Sequence, residues 1–347
     1  MKYLKQRIVP LPNKNKVNTL GIKMKSLLKP IYFLLLSSLT LFSCEKEDKI
    51  EAEISKISID FTVERFDKAF AEVTPNTLPQ LKEAYPFLFA KSYDDAFWLN
   101  KLKDTLQQEL QNETIKKFEN LKKETVEIES LFQHVKYYFP EFKTPRVITV
   151  ATDVDYRNKV IVTDTIVVLP LANYLGKDHF FYEGIQEYIA EDLEPKHLVV
   201  DLATNYAKHY TFNQRRKTFL DDLIFEGKLL YFKDKVIPFK TDAEKLNYTE
   251  AEYNWAKANE EYIWRYFVDK ELLFNTDTKL PSRFINPAPF SKFYLEQIDS
   301  ESPGEIGKYI GWQIVRDYMK NNTISFKQML AKEPKEIFDN ANYKPRK

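Results

Sequence analysis

Two apolar stripes with helical spacing lie between Leu198 and Phe232. The first stripe repeats every four residues and consists of Leu198, Leu202, Tyr206 and Tyr210. The second stripe has similar spacing and consists of Phe219, Leu223, Gly227 and Leu230. This is the period of an amphipathic α-helix, so the pattern predicts two helices that bury one face each in a core. The turn between them is basic and carries Arg215, Arg216 and Lys217.

Further helices are predicted from apolar spacing of three, four or seven residues, at Leu78–Leu88, Asp94–Leu110 and Ile115–Phe139. Thr249 and Glu252 have the spacing of a capping box, which predicts a helix from there to about Leu273.

Ser302-Pro303-Gly304-Glu305 has the same spacing and predicts a last long helix. Three of the seven glycines lie between Gly304 and Gly311, where glycine in a helix costs about 1 kcal/mol relative to alanine. We therefore expect Gly311 to lie against another backbone. By contrast, Leu280–Phe290 contains three prolines, which predicts irregular structure.

The segment Pro145–Leu171 has a different character, because β-branched residues occur there in short runs separated by polar turns. It predicts a small sheet, and Ile57–Val63 alternates in part and is a candidate for another strand. Helices on both sides of one strand cluster indicate a mostly helical α+β fold with a small mixed sheet. We expect residues 57–347 to form a single domain.

The amino terminus has the pattern of a lipoprotein signal peptide. Basic residues precede an uncharged stretch, and Ile31–Phe42 is too short to span a bilayer but has the length of a signal-peptide h-region. Leu41-Phe42-Ser43-Cys44 resembles a bacterial lipobox, although Phe42 is not the small or branched residue usually found there. The interpretation is a signal peptide over residues 1–43, with Met24 as an alternative start, and lipid attachment at Cys44. A buried cysteine beside an apolar helix is the structural alternative.

Residues 44–56 are highly charged and have little to bury, which indicates a tether between the lipid and the domain. The net charge of +1 is unevenly distributed along the chain, since residues 1–44 contain eight basic and no acidic residues. The rest of the chain has a net charge of −7, which argues against nucleic acid as a partner. Aromatic content of 15% with few glycines favours a tightly packed, helix-rich protein.

The second helix of the central pair resembles the Glu-Gly helix with which gluzincin-type zinc peptidases supply a metal ligand. In those enzymes the preceding helix carries His-Glu-x-x-His, which supplies two further ligands and a general base. Here the best register places Thr204 at the first histidine, Asn205 at the glutamate and Lys208 at the second histidine, and only Glu226 remains. Two of these groups are neutral and a lysine ammonium repels a metal cation. The sequence thus predicts a zincin-like domain whose active-site helices are degenerate, without metal or cofactor. The alternative is an ordinary pair of core helices.

No other constellation of reactive residues replaces this site. The four histidines are nowhere three to five residues apart, and His197 with Asp201 gives only one histidine and one carboxylate. The acidic pairs Asp153 and Asp155, and Asp221 and Asp222, are typical of turns and first helical turns. Cys44 is the single cysteine, so no intrachain disulfide can form.

Several long motifs resemble the GldB family of gliding motility lipoproteins. They are Ile59–Asp67, Leu131–Phe142, Asp153–Asn158, Asn173–Asp178, Pro287–Tyr294 and Gly307–Arg316. This family is similar in turn to predicted zinc peptidases that keep the histidines absent here. The resemblance implies a lipid-anchored protein of the cell envelope that is needed for gliding, is linked to type IX secretion and meets other gliding or secretion proteins. It implies no known biochemical activity.

Two classes of function remain open. The first is a non-catalytic envelope component that holds partner proteins on a peptidase-like scaffold. The second is a hydrolase that retains Glu226. The sequence favours the first, because the residues at the ligand positions cannot bind zinc in the usual way.

Overall fold

The computed structural model describes residues 49–212 and 216–347. The chain divides into a unit of residues 1–53 and a unit of residues 54–347. The second unit begins at Ile54, whose side chain is buried. Residues 49–54, at the end of the predicted tether, are helical. Cys44 and the predicted signal peptide lie outside the described residues. No helix in the described ranges is long and apolar enough to cross a membrane.

The described residues form a mostly helical α+β fold. The strands are β1 (Val63–Glu64), β2 (Arg146–Val150), β3 (Ile161–Val162) and β4 (Ile166–Pro170). The helices before and within the central pair are α1 (Phe66–Ala71), α2 (Leu78–Ala84), α3 (Asp95–Lys101), α4 (Thr105–Lys117), α5 (Lys122–Tyr138), α6 (Glu187–Ala190), α7 (Leu198–Tyr210) and α8 (Phe219–Val236). Those after it are α9 (Asp242–Leu246), α10 (Glu250–Ala258), α11 (Glu260–Asp269), α12 (Leu280–Phe284), α13 (Glu296–Asp299), α14 (Ile306–Asn321), α15 (Phe326–Ala331) and α16 (Pro334–Ala341).

The small sheet is mixed and separates two groups of helices. Its strand order is β1-β2-β4-β3, with β1, β2 and β4 parallel and β3 antiparallel to β4. Because side chains alternate along a strand, Val147 and Val167 face the main helical core while Ile148 and Val168 face a smaller cluster with Phe66. Both faces of the central strands are therefore buried, which explains why their sequence is almost continuously apolar.

The central helix pair forms as predicted, with α7 and α8 at the positions of the two stripes. Thr218 begins α8 with a capping box, since its hydroxyl accepts the N–H of Asp221 and the Asp221 carboxylate accepts the N–H of Thr218. Helix α8 then crosses α14 where two glycines meet. A Cβ on Gly311 would lie 1.8 Å from the carbonyl oxygen of Leu223, and one on Gly227 would lie 2.2 Å from that of Gly311. The expected close backbone contact at Gly311 is confirmed.

Four predicted helices were too long, and each is interrupted for a local reason. Leu78–Leu88 ends as an α-helix at Ala84, because Pro86 disfavours a helical conformation of Tyr85. Asp94–Leu110 breaks before Asp104, whose carboxylate caps α4 by accepting the N–H of Gln107. Ile115–Phe139 breaks at Leu121, which is buried in the left-handed conformation with φ of 46°. The helix from Thr249 keeps its capping box but breaks at Asn259, whose side-chain amide donates to the Trp255 carbonyl.

Three other local predictions were wrong. The Ser302 capping box does not form, because the Ser302 hydroxyl donates to the Ser291 carbonyl and α14 begins later, at Ile306. Part of the proline-rich segment is helical, since Pro281 lies in the first turn of α12, where its missing N–H is not needed. The strand predicted over Ile57–Val63 is limited to the two residues of β1.

Candidate functional site

A cavity of about 480 Å³ lies beside the central helix pair. Helix α7 contributes Thr204 and Lys208 to its wall, and α8 contributes Glu226. Three of the four residues predicted from the sequence are thus brought to one place. Asn205 does not line this cavity, and its side-chain amide donates to the Asp201 carbonyl at 3.0 Å.

The residues predicted from the sequence differ in the hydrogen bonds and ion pairs that their side chains make. The Thr204 hydroxyl donates to the Val200 carbonyl at 2.8 Å, one turn earlier in its own helix. The Glu226 carboxylate is 17% exposed and lies 4.0 Å from Nη1 of Arg216, a residue of the basic turn. Lys208 is exposed and has no ion-pair partner among the described residues.

Most of the charged groups in the cavity come from segments outside the helix pair. The cavity's charged side chains are Arg157, Lys159, Asp192, Asp201, Lys208, Glu226, Lys233, Lys245, Glu305 and Lys308. Several of them are paired with each other. Lys159 Nζ lies 2.8 Å from Asp201, and Lys308 Nζ lies 2.5 Å from Glu305. The Tyr174 hydroxyl also donates to Asp201, at 3.0 Å.

Burial changes the acid–base properties of several cavity groups. It lowers the pKa of Lys233 to about 8, because the ammonium is removed from water and Lys308 and Lys159 are nearby, although the Asp201 and Glu226 carboxylates oppose this. Burial raises the pKa of Asp192 to about 7, against the effect of Lys159. Burial also disfavours the charged form of Lys308, but the carboxylates of Glu305 and Glu226 outweigh it and the pKa of Lys308 is raised.

Lys233 is the least expected member of this group. It is 6% exposed, and its Nζ donates to the backbone carbonyl of Lys245 at 2.7 Å. Its position directly after the apolar and aromatic run Leu229–Phe232 is the one local signal that could have identified it. Asp192 and Glu305 carried no such signal, because they lie in loops whose positions depend on the tertiary fold.

The other carboxylates and histidines considered from the sequence make contacts within the fold. Asp201 is engaged by Lys159, while His197 Nδ1 lies 3.1 Å from the Asp192 carbonyl and burial lowers the pKa of His197 to about 4. Asp221 belongs to the α8 capping box, and Asp155 accepts N–H groups within its own turn. In residues 49–212 and 216–347, no group of three or more His, Cys, Asp or Glu side chains could hold a metal ion.

Comparison with known protein families identifies a model that covers most of the chain. The family model described as gliding motility protein GldB matches residues 47–345 of the chain. Neither the curated proteins nor the solved structures include a match to this chain.

Proposed function

The chain belongs to the GldB family of gliding motility proteins, and from this premise we propose that it acts by binding rather than by catalysis. In this proposal it is a lipid-anchored protein of the cell envelope, attached through Cys44. It holds other envelope proteins that act in gliding and in the associated type IX secretion. The zincin-like ancestry of its central helices is part of the same proposal.

The state of the candidate site is the observation that carries this proposal. A hydrolase of the gluzincin type needs two histidines and a glutamate on the first helix. Here Thr204 and Asn205 donate to carbonyls of their own helix, and Lys208 brings a positive charge to the cavity. None of these three side chains is a zinc ligand or a general base of the gluzincin type, which supports a binding role.

Glu226 favours the alternative function, a peptidase-like hydrolase, because it is a carboxylate that lines the cavity. Its proximity to Arg216 gives it a structural role as well. Removing one member of a partly buried ion pair leaves the other uncompensated. A Glu226→Ala variant would therefore lose both the carboxylate and this contact, and could not separate the two functions.

Glu226→Gln is the better test, because it keeps the shape and hydrogen-bonding capacity of the side chain but removes the charge. Asp222→Asn is a matched control. Asp222 lies one turn earlier in α8, is equally exposed at 17% and approaches the same Arg216 at 3.4 Å, but does not line the cavity. Each variant would replace the only copy in the cell, and its amount and folding would be checked.

On the binding proposal, cells with either variant glide and secrete like the wild type. If Glu226→Gln is present at the normal amount, folded and inactive while Asp222→Asn is active, the carboxylate has a chemical role. The hydrolase alternative would then replace the proposal.

A further inference from the structure

The cavity beside α7 and α8 contains more cations than carboxylates. Three of its lysines are neutralised by near neighbours: Lys159 by Asp201 and Lys308 by Glu305, both inside the cavity, and Lys245 by Asp234 at 3.0 Å. These pairs fix much of the wall and contribute little net charge.

Three cationic side chains in the same wall remain without such a neighbour. Arg157, Lys208 and Lys233 have no carboxylate within ion-pair distance in the part of the chain that the structure describes. Only two cavity carboxylates are left to balance them, Asp192 and Glu226. Glu226 also faces Arg216 at 4.0 Å, which adds a further positive charge close to this wall.

The net charge of these unpaired cavity groups is positive. Because the pKa of Asp192 is raised to about 7 by burial, this carboxyl is partly protonated at neutral pH and offsets less than one charge. A concave wall with one sign of charge concentrates the electric field and attracts ions of the opposite sign.

We propose that this cavity binds a small organic anion, whose carboxylate or phosphate is held by Lys208, Arg157 and Lys233. Its volume of about 480 Å³ is within the range of small-molecule sites, about 300–1,000 Å³. The Lys208 ammonium, which would repel a metal cation, contributes the main electrostatic attraction for the anion. This binding is independent of any chemical role for Glu226.

The proposal can be tested by calorimetric titration of the full-length chain, purified in detergent at low salt. Glycerol 3-phosphate and malate serve as the phosphate and carboxylate probes. Glycerol and putrescine are the neutral and cationic comparisons. At least one anionic probe should bind, more weakly as salt rises, and the stronger of the two identifies the preferred group.

Variants at exposed positions locate the site without disturbing the core. Lys208 and Arg157 are exposed, so their alanine variants should fold. Each should weaken anion binding about tenfold, as expected for loss of one charge-assisted hydrogen bond, and Lys208→Arg should retain most of it. Lys257, which is exposed on α10 and does not line the cavity, provides the control variant Lys257→Ala and should leave binding unchanged.

Three results would overturn the proposal. One is the absence of anion binding, and another is tighter binding of putrescine than of either anion. The third is equal weakening by Lys257→Ala and Lys208→Ala, which would show non-specific surface attraction.

Discussion

Adding one methyl group at the crossing of α8 and α14 should destabilise the whole protein. The Cβ of Gly311→Ala would lie 1.8 Å from the Leu223 carbonyl oxygen and 2.6 Å from its carbonyl carbon. Both are backbone atoms in the middle of a helix, so no side-chain rotation can relieve the contact. Real Cβ atoms essentially never come closer than 3.0 Å to such atoms, so the helices would have to separate by about 1.2 Å.

The size of the effect follows from two opposing terms. Overpacking a core costs about 1–3 kcal/mol, and a clash between two backbones belongs at the upper end. Alanine is about 1 kcal/mol better than glycine inside a helix, which offsets part of this. We expect a net loss of about 2 kcal/mol in the free energy of unfolding. For a domain of this length, this corresponds to a decrease of about 3 °C in the melting temperature.

A double-mutant cycle tests the geometry itself. Gly227→Ala should have a similar effect, because its Cβ would lie 2.2 Å from the Gly311 carbonyl oxygen. Once one substitution has separated the helices, the second should cost less, so the two effects should not add.

Urea unfolding followed by tryptophan fluorescence gives the four free energies of the cycle. Gly184→Ala is the control, since its Cβ meets no atom within 4 Å and only its φ of 85° is unfavourable. It should cost about 1 kcal/mol and show no coupling to Gly311→Ala. If Gly311→Ala unfolds within about 0.5 kcal/mol of the wild type, or if the two glycines are additive, the close contact does not constrain the fold.

Three other predictions concern the anchor, the metal and the buried lysine. Labelled fatty acid should be incorporated into the wild type and not into Cys44→Ala, and equal labelling would contradict lipidation at this residue. The purified body should bind no stoichiometric zinc because Lys208 repels the cation, and one zinc per chain that survives dialysis would refute this. Lys233→Met should raise the free energy of unfolding by about 2 kcal/mol at pH 7, since the charged amine is buried at a penalty. This gain in stability should become smaller as the pH rises from about 8 towards the ordinary lysine pKa. The reason is that the wild-type amine loses its proton at a lower pH in the folded state than in the unfolded state. A gain that does not change with pH would contradict the lowered pKa.

The elements that the sequence predicted well are those whose signal is local and periodic. The stripes of α7 and α8 and the β-branched runs of β2 and β4 each bury a face that repeats along the chain. The packing at Gly311 was also predictable, because glycine is unfavourable in a helix unless something requires it.

The breaks between helices depend on contacts that are distant in the sequence. Leu121 takes a left-handed conformation while its side chain is buried in the main core, and nothing in its neighbours indicates that. The same limit applies to Ser302, whose hydroxyl bonds to Ser291 instead of capping a helix.

The composition of the cavity shows this limit most clearly. The helix register correctly predicted that Thr204, Lys208 and Glu226 lie together. It also predicted Asn205 at this site, but Asn205 does not line the cavity. Arg157 and Asp192, which help to set its net charge, are brought there by loops. Without them, the positive balance of the cavity could not be inferred from the sequence.

The proposal that the protein acts by binding is tested most directly by the gliding speed of cells whose only copy carries Thr204→Val together with Glu226→Gln. These substitutions remove the hydroxyl and the carboxylate from the candidate site with little change in volume, and leave Lys208, Arg157 and Lys233 in place. The account predicts wild-type gliding speed and wild-type secretion at the normal amount of folded protein. Cells that have that amount of folded protein but do not glide would contradict it.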